Sequence, residues 1–127
     1  MTGGRPAIVI VGAGGHARVV VDMLQQRADF ELAGCVSPEP AADLLGLPVL
    51  GGDDSLADIF SSGVRHAFVA IGDNRVRAER LRHARQIGFV IANAISPHAV
   101  ISPRATIGTG IAIMPGAVVN VGSVAFC

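Results

Sequence analysis

The residues best suited to chemistry lie early in the chain, in the segment GAGGHA at residues 12–17. Gly12, Gly14 and Ala17 fit the G-x-G-x-x-G/A pattern of dinucleotide-binding loops. Glycine lets the backbone approach a pyrophosphate, and a helix that starts there offers free N–H groups and the positive end of its dipole. The segment therefore predicts a phosphate-binding loop, with a simple tight turn between a strand and a helix as the alternative.

Histidine is the side chain best suited to accept a proton at neutral pH, and the chain contains four of them. His16 follows the glycines, where it would meet the phosphates or sugar of a ligand, or else only backbone and solvent. His66 precedes a predicted buried strand, His83 lies among arginines, and His98 precedes a repetitive segment. We expect none of these three to be catalytic, so the catalytic residue is unknown from the sequence.

A dense run of arginines covers residues 75–85, with five arginines and a single acidic residue, Glu79. The run is interpreted as a solvated helix face, or else as a surface that contacts phosphates or a neighbouring subunit. The chain has no lysine. That absence excludes Schiff-base chemistry on lysine and a lysine-containing P-loop.

The composition narrows the class of protein further. Ten arginines balance ten acidic residues, and Trp and Tyr are absent, so no nucleic-acid surface is expected. Cys35 and Cys127 make neither a disulfide framework nor a metal-ligand spacing, and no metal is expected. The apolar run at residues 7–11 is too short to span a membrane, and we expect a cytoplasmic protein.

Strands and helices alternate over residues 7–95. One predicted helix starts at the glycine loop and ends near Gln26. Another starts at Asp73 and ends at Gly88. Ser55 and Asp58 resemble a capping box for a short third helix. The alternation predicts a small α/β unit with a parallel sheet. Its strands are predicted at residues 7–11, 30–36, 47–51, 66–72 and 89–95.

A strict period of six begins at Ile101. Aliphatic residues occupy the first position of four consecutive six-residue units, at Ile101, Ile107, Ile113 and Val119. Neither a helix nor a two-sided strand produces this period, whereas a β-solenoid does. We therefore predict two domains, residues 1–95 and residues 96–127. About three such units make one coil, so residues 101–127 are expected to form roughly one and a half coils.

Four ordered motifs resemble the sugar acetyltransferases of bacterial glycan biosynthesis, which include sialic-acid O-acetyltransferases and bacillosamine or perosamine N-acetyltransferases. They read IVIVGAGGHARVVVDML, VLGGDDSL, FVAIGDNRVRAERL and ISPHAVISPRATIGTGIAIMPGAVVN, and they cover nearly the whole chain. The resemblance implies a Rossmann-like domain that binds a UDP- or GDP-linked sugar. It also implies a left-handed parallel β-helix of hexapeptide repeats that binds acetyl-CoA, and a homotrimer if that helix is complete.

The resemblance also implies which residues bind the nucleotide sugar. The glycine loop would line the pocket, the exit of the fourth strand would border the sugar, and the end of the second strand would lie near the nucleoside. Which base is bound, and whether an oxygen or a nitrogen is acetylated, stay open. The predicted residues are Gly12, Ala13, Gly14, Gly15, His16, Ser37, Gly72, Asp73 and Asn74.

The general base of that family is a histidine on a coil beyond the first few repeats, and no histidine of this chain lies at residues 101–127. We therefore expect the chain to be the front part of a longer acetyltransferase, or a shortened paralogue, and to acetylate poorly by itself. A non-catalytic nucleotide-sugar-binding module is the alternative. An NAD(P)-binding domain is less favoured, because Glu31 comes too early and Glu39 too late to bind the ribose.

Overall fold

The computed structural model describes residues 4–39 and 44–125. Its first part is a parallel sheet with the strand order β3-β2-β1-β4-β5. The strands are β1 Ala7–Val11, β2 Glu31–Val36, β3 Val49–Gly51, β4 His66–Val69 and β5 Val90–Ile91. Three α-helices lie between them in the described ranges: α1 Gly15–Gln25, α2 Leu56–Ser61 and α3 Asn74–Ile87.

Strand β1 lies at the centre of this sheet, and its side chains alternate between two cores. Ile8 and Ile10 pack with α1 on one face, while Val9 and Val11 pack with α2 and α3 on the other. All four side chains are fully buried. Because helices cover both faces, the strands read as continuous apolar runs rather than as alternating ones. The predicted α/β unit is confirmed.

The ends of α3 follow the sequence signals, whereas the start of α2 does not. The Asp73 carboxylate accepts hydrogen bonds from the backbone N–H groups of Arg75 and Val76, and Gly88 ends α3 with a φ of 122°. Both predictions are confirmed. The capping box at Ser55 is wrong: Ser55 makes no side-chain cap and has helical backbone angles, because a 3₁₀ turn at Asp53–Ser55 already leads into α2.

The second part of the chain is a parallel β-helix, as predicted from the period of six. Its two-residue strands begin at every sixth residue, and each of the first three pairs with the strand 18 residues further along. Three strands therefore make one coil. The strands are β6 Ala94–Ile95, β7 Val100–Ile101, β8 Thr106–Ile107, β9 Ala112–Ile113, β10 Val118–Val119 and β11 Val124–Ala125.

The β-helix begins earlier than the repeat at Ile101 indicates. The Ala92 N–H still donates to Ala67 in the sheet, but the Ala94 N–H donates to Ile111 in the next coil. The single strand predicted at residues 89–95 is therefore wrong, because the chain leaves the sheet after β5 and enters the first coil at β6. His98 consequently lies inside the first coil rather than before it. The division between residues 95 and 96 stays a prediction.

Side-chain hydrogen bonds join the α/β unit to the β-helix. Asn93 donates from Nδ2 to the Gly108 carbonyl at 2.8 Å and accepts at Oδ1 from the Ile111 N–H at 3.0 Å. Arg27, just after α1, donates to the Ile95 carbonyl at 3.2 Å. The turn at residues 108–111 is therefore held against the end of β5.

None of the helices in the described ranges is both long and apolar enough to cross a membrane. Cys127 lies outside the residues that the structure describes.

Candidate functional site

The glycine loop follows β1 and closes against the ends of two neighbouring strands. Gly12 has a φ of 118°, and a Cβ atom there would lie 2.5 Å from the Ala70 carbonyl oxygen, so only glycine fits. Its N–H donates to the Val36 carbonyl at 3.0 Å. The loop is thereby anchored at the carboxyl ends of β1, β2 and β4, the edge where ligands bind in open parallel sheets.

The start of α1 is open to an anion. Gly14 precedes the helix in an extended conformation, no side chain caps the helix, and its first turn contains no acidic residue. A Cβ atom at Gly14 or Gly15 would meet no other atom within 4 Å, so there is free space beside the loop. Uncapped N–H groups and the positive end of the helix dipole favour a phosphate here.

A cavity of about 380 Å³ lies over this loop. The structure thus brings together six of the nine predicted site residues, those of the glycine loop and Gly72. Their role in binding remains a prediction. The lining residues are Gly12, Ala13, Gly14, Gly15, His16, Ala70, Ile71 and Gly72.

The other three predicted residues lie outside this cavity, and their side chains have local partners. Asp73 caps α3, as described above. Asn74 accepts a hydrogen bond at Oδ1 from Nη2 of Arg77 at 3.0 Å. Ser37 is buried at the end of β2, where its Oγ accepts from the Glu39 N–H at 3.1 Å.

A second cavity, which we call the cleft, lies between the α/β unit and the segment of the β-helix around β9. Its volume is about 280 Å³, and it shares His16 with the glycine-loop cavity. His16 therefore stands between a phosphate-type loop and the β-helix. The residues that line the cleft are His16, Phe68, Val69, Arg77, Gly110, Ile111, Ala112 and Met114.

A wider groove of about 800 Å³ runs between α3 and the turn at Gly108 and Thr109. Arg77 belongs to both the groove and the cleft, whereas Arg82 and Arg85 line the groove alone. Arg85 donates to the Thr109 hydroxyl at 3.3 Å. The arginine run is therefore not a uniform solvated face: part of it meets the β-helix. The only feature of the sequence that could have indicated this contact is the high density of arginine at residues 75–85.

The remaining histidines lie away from these cavities. His66 begins β4, at the opposite end of that strand from Ala70, and its ring lies 5.2 Å from the ring of Phe30. Its Nδ1 atom is buried without a hydrogen-bond partner in the described structure. His83 and His98 are exposed. Of the four histidines, His16 is the one that lines the glycine-loop cavity and the cleft.

The chemistry of the described residues offers neither a metal centre nor an activated thiol. Within residues 4–39 and 44–125, no three potential metal ligands of the types His, Cys, Asp and Glu lie together. Cys35 is buried, and desolvation raises the pKa of its thiol. A thiol with a raised pKa is mostly protonated at neutral pH and is a poor nucleophile.

Comparison with known proteins matches residues 7–84 to the PglD N-terminal domain. Perosamine N-acetyltransferase from Caulobacter crescentus, solved with CoA and GDP-perosamine as a variant lacking one histidine, shares 42% identity with a TM-score of 0.88. The alignment covers 93% of this chain and 56% of that one. The structure of PerB from the same organism, with the same two ligands, gives 43% identity, a TM-score of 0.87 and the same coverage.

A third solved structure is the acetyltransferase domain of PglB from Neisseria gonorrhoeae in complex with acetyl coenzyme A. It shares 32% identity with a TM-score of 0.86, over 95% of this chain and 58% of that one. The chain thus spans little more than half the length of the solved structures it matches. The comparison with curated proteins finds no match.

These findings confirm the resemblance drawn from the four sequence motifs and the fold class predicted with it. The family match covers β1 to β4, the glycine loop and most of α3, and the solved structures extend the similarity over the β-helix. The chain belongs to the family of the PglD N-terminal domain.

Proposed function

We propose that this chain binds a nucleotide-linked amino sugar over its glycine loop and takes part in acetyl transfer from acetyl-CoA to the amino group of that sugar. The observation that carries the proposal is the glycine-loop cavity, which shares His16 with a cleft walled by β9 and the residues beside it. A ligand with its phosphates on the loop would place its sugar beside the β-helix.

The orientation of the ligand follows from the topology. The diphosphate would accept hydrogen bonds from the start of α1, and the nucleoside would extend toward the end of β2, where Ser37 lies. The sugar would extend past His16 into the cleft. We accordingly propose Gly12, Ala13, Gly14, Gly15, His16 and Gly72 as contact residues.

GDP is the first candidate for the nucleotide, with UDP as the second. The solved perosamine N-acetyltransferase, 42% identical over 93% of this chain, contains GDP-perosamine. Acetyl-CoA is proposed as the acetyl donor, because the structures matched at 42% and 32% identity contain CoA and acetyl coenzyme A respectively.

The reaction needs a base but neither a metal nor a covalent intermediate. The sugar nitrogen attacks the thioester carbonyl, a C–N bond forms, the C–S bond breaks, and the CoA thiolate leaves. A base takes the proton that the nitrogen loses. His16 is proposed as a ligand contact, and the base itself is not assigned to a residue of this chain.

We further propose a homotrimer in the cytoplasm, as the resemblance implies. Support for self-association comes from the outer face of the β-helix. Val100 and Val118 are paired in neighbouring coils and are 65% and 63% exposed. Apolar side chains stacked at the surface are typical of a face that another chain covers.

Calorimetric titration of the chain with GDP, UDP and NAD tests the binding. We expect GDP or UDP to bind and NAD to bind weakly or not at all. Preference for NAD would instead favour the NAD(P)-binding alternative, and no binding of any of the three would contradict the proposal. Release of CoA from acetyl-CoA in the presence of GDP-perosamine separates an acetyltransferase from a non-catalytic binding module.

A charged substitution in the glycine loop tests whether the phosphates of the nucleotide bind there. Gly14→Asp introduces a favoured cap residue into open space, so the fold should keep its stability, while the negative charge opposes a phosphate. We expect the affinity for GDP to fall at least about tenfold. Gly14→Asn, a neutral cap of similar size, is the matched control. Equal affinities of the two variants would place the phosphates elsewhere.

A further inference from the structure

Arg77 lies in the first turn of α3 and lines both the cleft and the groove. We infer that Arg77 is a binding residue that contacts the sugar-proximal phosphate of the ligand, where the glycine-loop cavity and the cleft meet at His16. This inference rests on the proposed function and adds to it the counter-charge that the glycine loop lacks.

The charge distribution around the two cavities supports this assignment. A nucleoside diphosphate carries at least two negative charges at neutral pH. The residues that line the glycine-loop cavity offer backbone dipoles but no arginine or lysine side chain. Among the described residues that line the cleft, Arg77 is the one arginine, and the chain has no lysine. Arg77 is therefore the cation placed to balance the diphosphate.

The hydrogen bonds of Arg77 leave it able to take a ligand. A guanidinium has five N–H donors, and one of them binds Asn74 Oδ1 at 3.0 Å. Within the described residues Arg77 forms no ion pair with a carboxylate, whereas Arg80 pairs with Asp53 at 2.8 Å. The side chain is half-buried. A half-buried guanidinium without an acidic partner is suited to a planar, bidentate contact with phosphate oxygens.

The start of α3 holds Arg77 in place. The Arg77 N–H donates to the Asp73 carbonyl at 2.9 Å, the first main-chain bond of the helix, and the Asp73 side chain caps that same turn. Asn74 then binds the guanidinium itself. Asp73 and Asn74 thus act through Arg77 as positioning residues, which accounts for their place in the motif GDNRVR without a direct contact to the ligand.

The test compares diphosphate with monophosphate binding, because only the former presents the second phosphate. Wild type, Arg77→Met and Arg77→Lys are titrated with GDP and GMP, and with UDP and UMP. Arg82→Met is the matched control, since it removes one positive charge from the same helix and lines the groove but not the cleft. Thermal unfolding of each variant establishes that it is folded.

We expect Arg77→Met to weaken diphosphate binding about 10- to 100-fold, the usual size of a charge-assisted hydrogen bond, and monophosphate binding much less. Arg77→Lys should recover part of the loss, and Arg82→Met should leave both affinities within about twofold. An unchanged ratio of diphosphate to monophosphate affinity in folded Arg77→Met overturns the inference and leaves the proposed function standing. Failure of wild type to bind any nucleotide overturns both.

Discussion

The α/β unit and the β-helix bury their apolar residues in opposite ways. In the α/β unit, β1 alone contributes four fully buried side chains, and helices cover both faces of the sheet. In residues 94–123 of the β-helix, the buried residues are Ala94, Ser96 and Ile113, while Val100 and Val118 remain more than 60% exposed. The core on the α1 side of the sheet includes Ala94 and packs against Ala112 and Met114 of the β-helix, whereas the β-helix leaves apolar surface outside.

This difference indicates where each region gains its stability. A sheet covered on both faces gains its stability within one chain. The β-helix strands are two residues long and form three separate two-stranded sheets in the described structure, so their edges and outer face are left open. A solenoid buries its surfaces by stacking on further units or on another chain. The stability of the β-helix is therefore expected to depend on contacts with further repeat units or with another chain.

The largest effect is expected from removing a large side chain from the α/β core. Phe68 is almost fully buried in β4, and Phe68→Ala should lower the free energy of unfolding by about 3–5 kcal/mol. Val118→Ala, on the exposed face of the β-helix, should change the free energy of unfolding of the monomer by less than about 0.5 kcal/mol. Urea unfolding of both variants measures the contrast. Similar losses at the two positions would contradict the difference between the regions.

A smaller effect is expected at the junction of the two regions. Asn93→Ala leaves the Gly108 carbonyl and the Ile111 N–H without their partner, at a cost of about 1–3 kcal/mol. Amide hydrogen exchange should speed up at Ile111 and remain slow in β1. Asn93→Asp, which keeps the acceptor for Ile111 and loses the donor, should be intermediate. Uniform acceleration over both regions would mean that they unfold as one unit.

The helix caps offer a test within the α/β unit. Asp73→Ala removes the carboxylate that accepts from two N–H groups of α3, and should cost about 1 kcal/mol. Asp73→Ser, which can still cap, should recover most of the loss. Ser55→Ala should have little effect on helix capping, because Ser55 makes no cap in the structure. The midpoint of thermal unfolding measures all three, and a larger loss at Ser55 than at Asp73 would contradict the assignment.

The smallest effect concerns the buried thiol. Because burial raises the pKa of Cys35 above its ordinary value of 9.0, the unfolded chain loses this proton at lower pH than the folded one. The contribution of Cys35 to stability is therefore constant below that value and falls as the pH rises through it. The free energy of unfolding should decline between pH 7 and pH 10, and the decline should be smaller in Cys35→Ala. If the free energy of unfolding declines equally in wild type and Cys35→Ala, groups other than the Cys35 thiol cause the decline.

Much of the local structure could be predicted because its causes are local. The apolar run of β1, the cap at Asp73, the stop at Gly88 and the period of six all act over a few residues, and the structure confirms each one. The two errors have a common reason. Ser55 and the segment 89–95 carry ordinary helix and strand signals, but a preceding 3₁₀ turn and the first coil of the β-helix take up the backbone groups involved.

The sequence by itself determined the two kinds of architecture and the glycine loop, since hydrophobic periodicity and glycine spacing are properties of neighbouring residues. Only the tertiary structure decided that Arg77 lies across a cleft from His16, and that Asn93 holds the turn at residues 108–111. The physical reason is distance along the chain. Asn93 bonds residues 15 and 18 positions away, and His16 and Arg77, 61 positions apart, line one cleft because the β-helix packs against the carboxyl edge of the sheet.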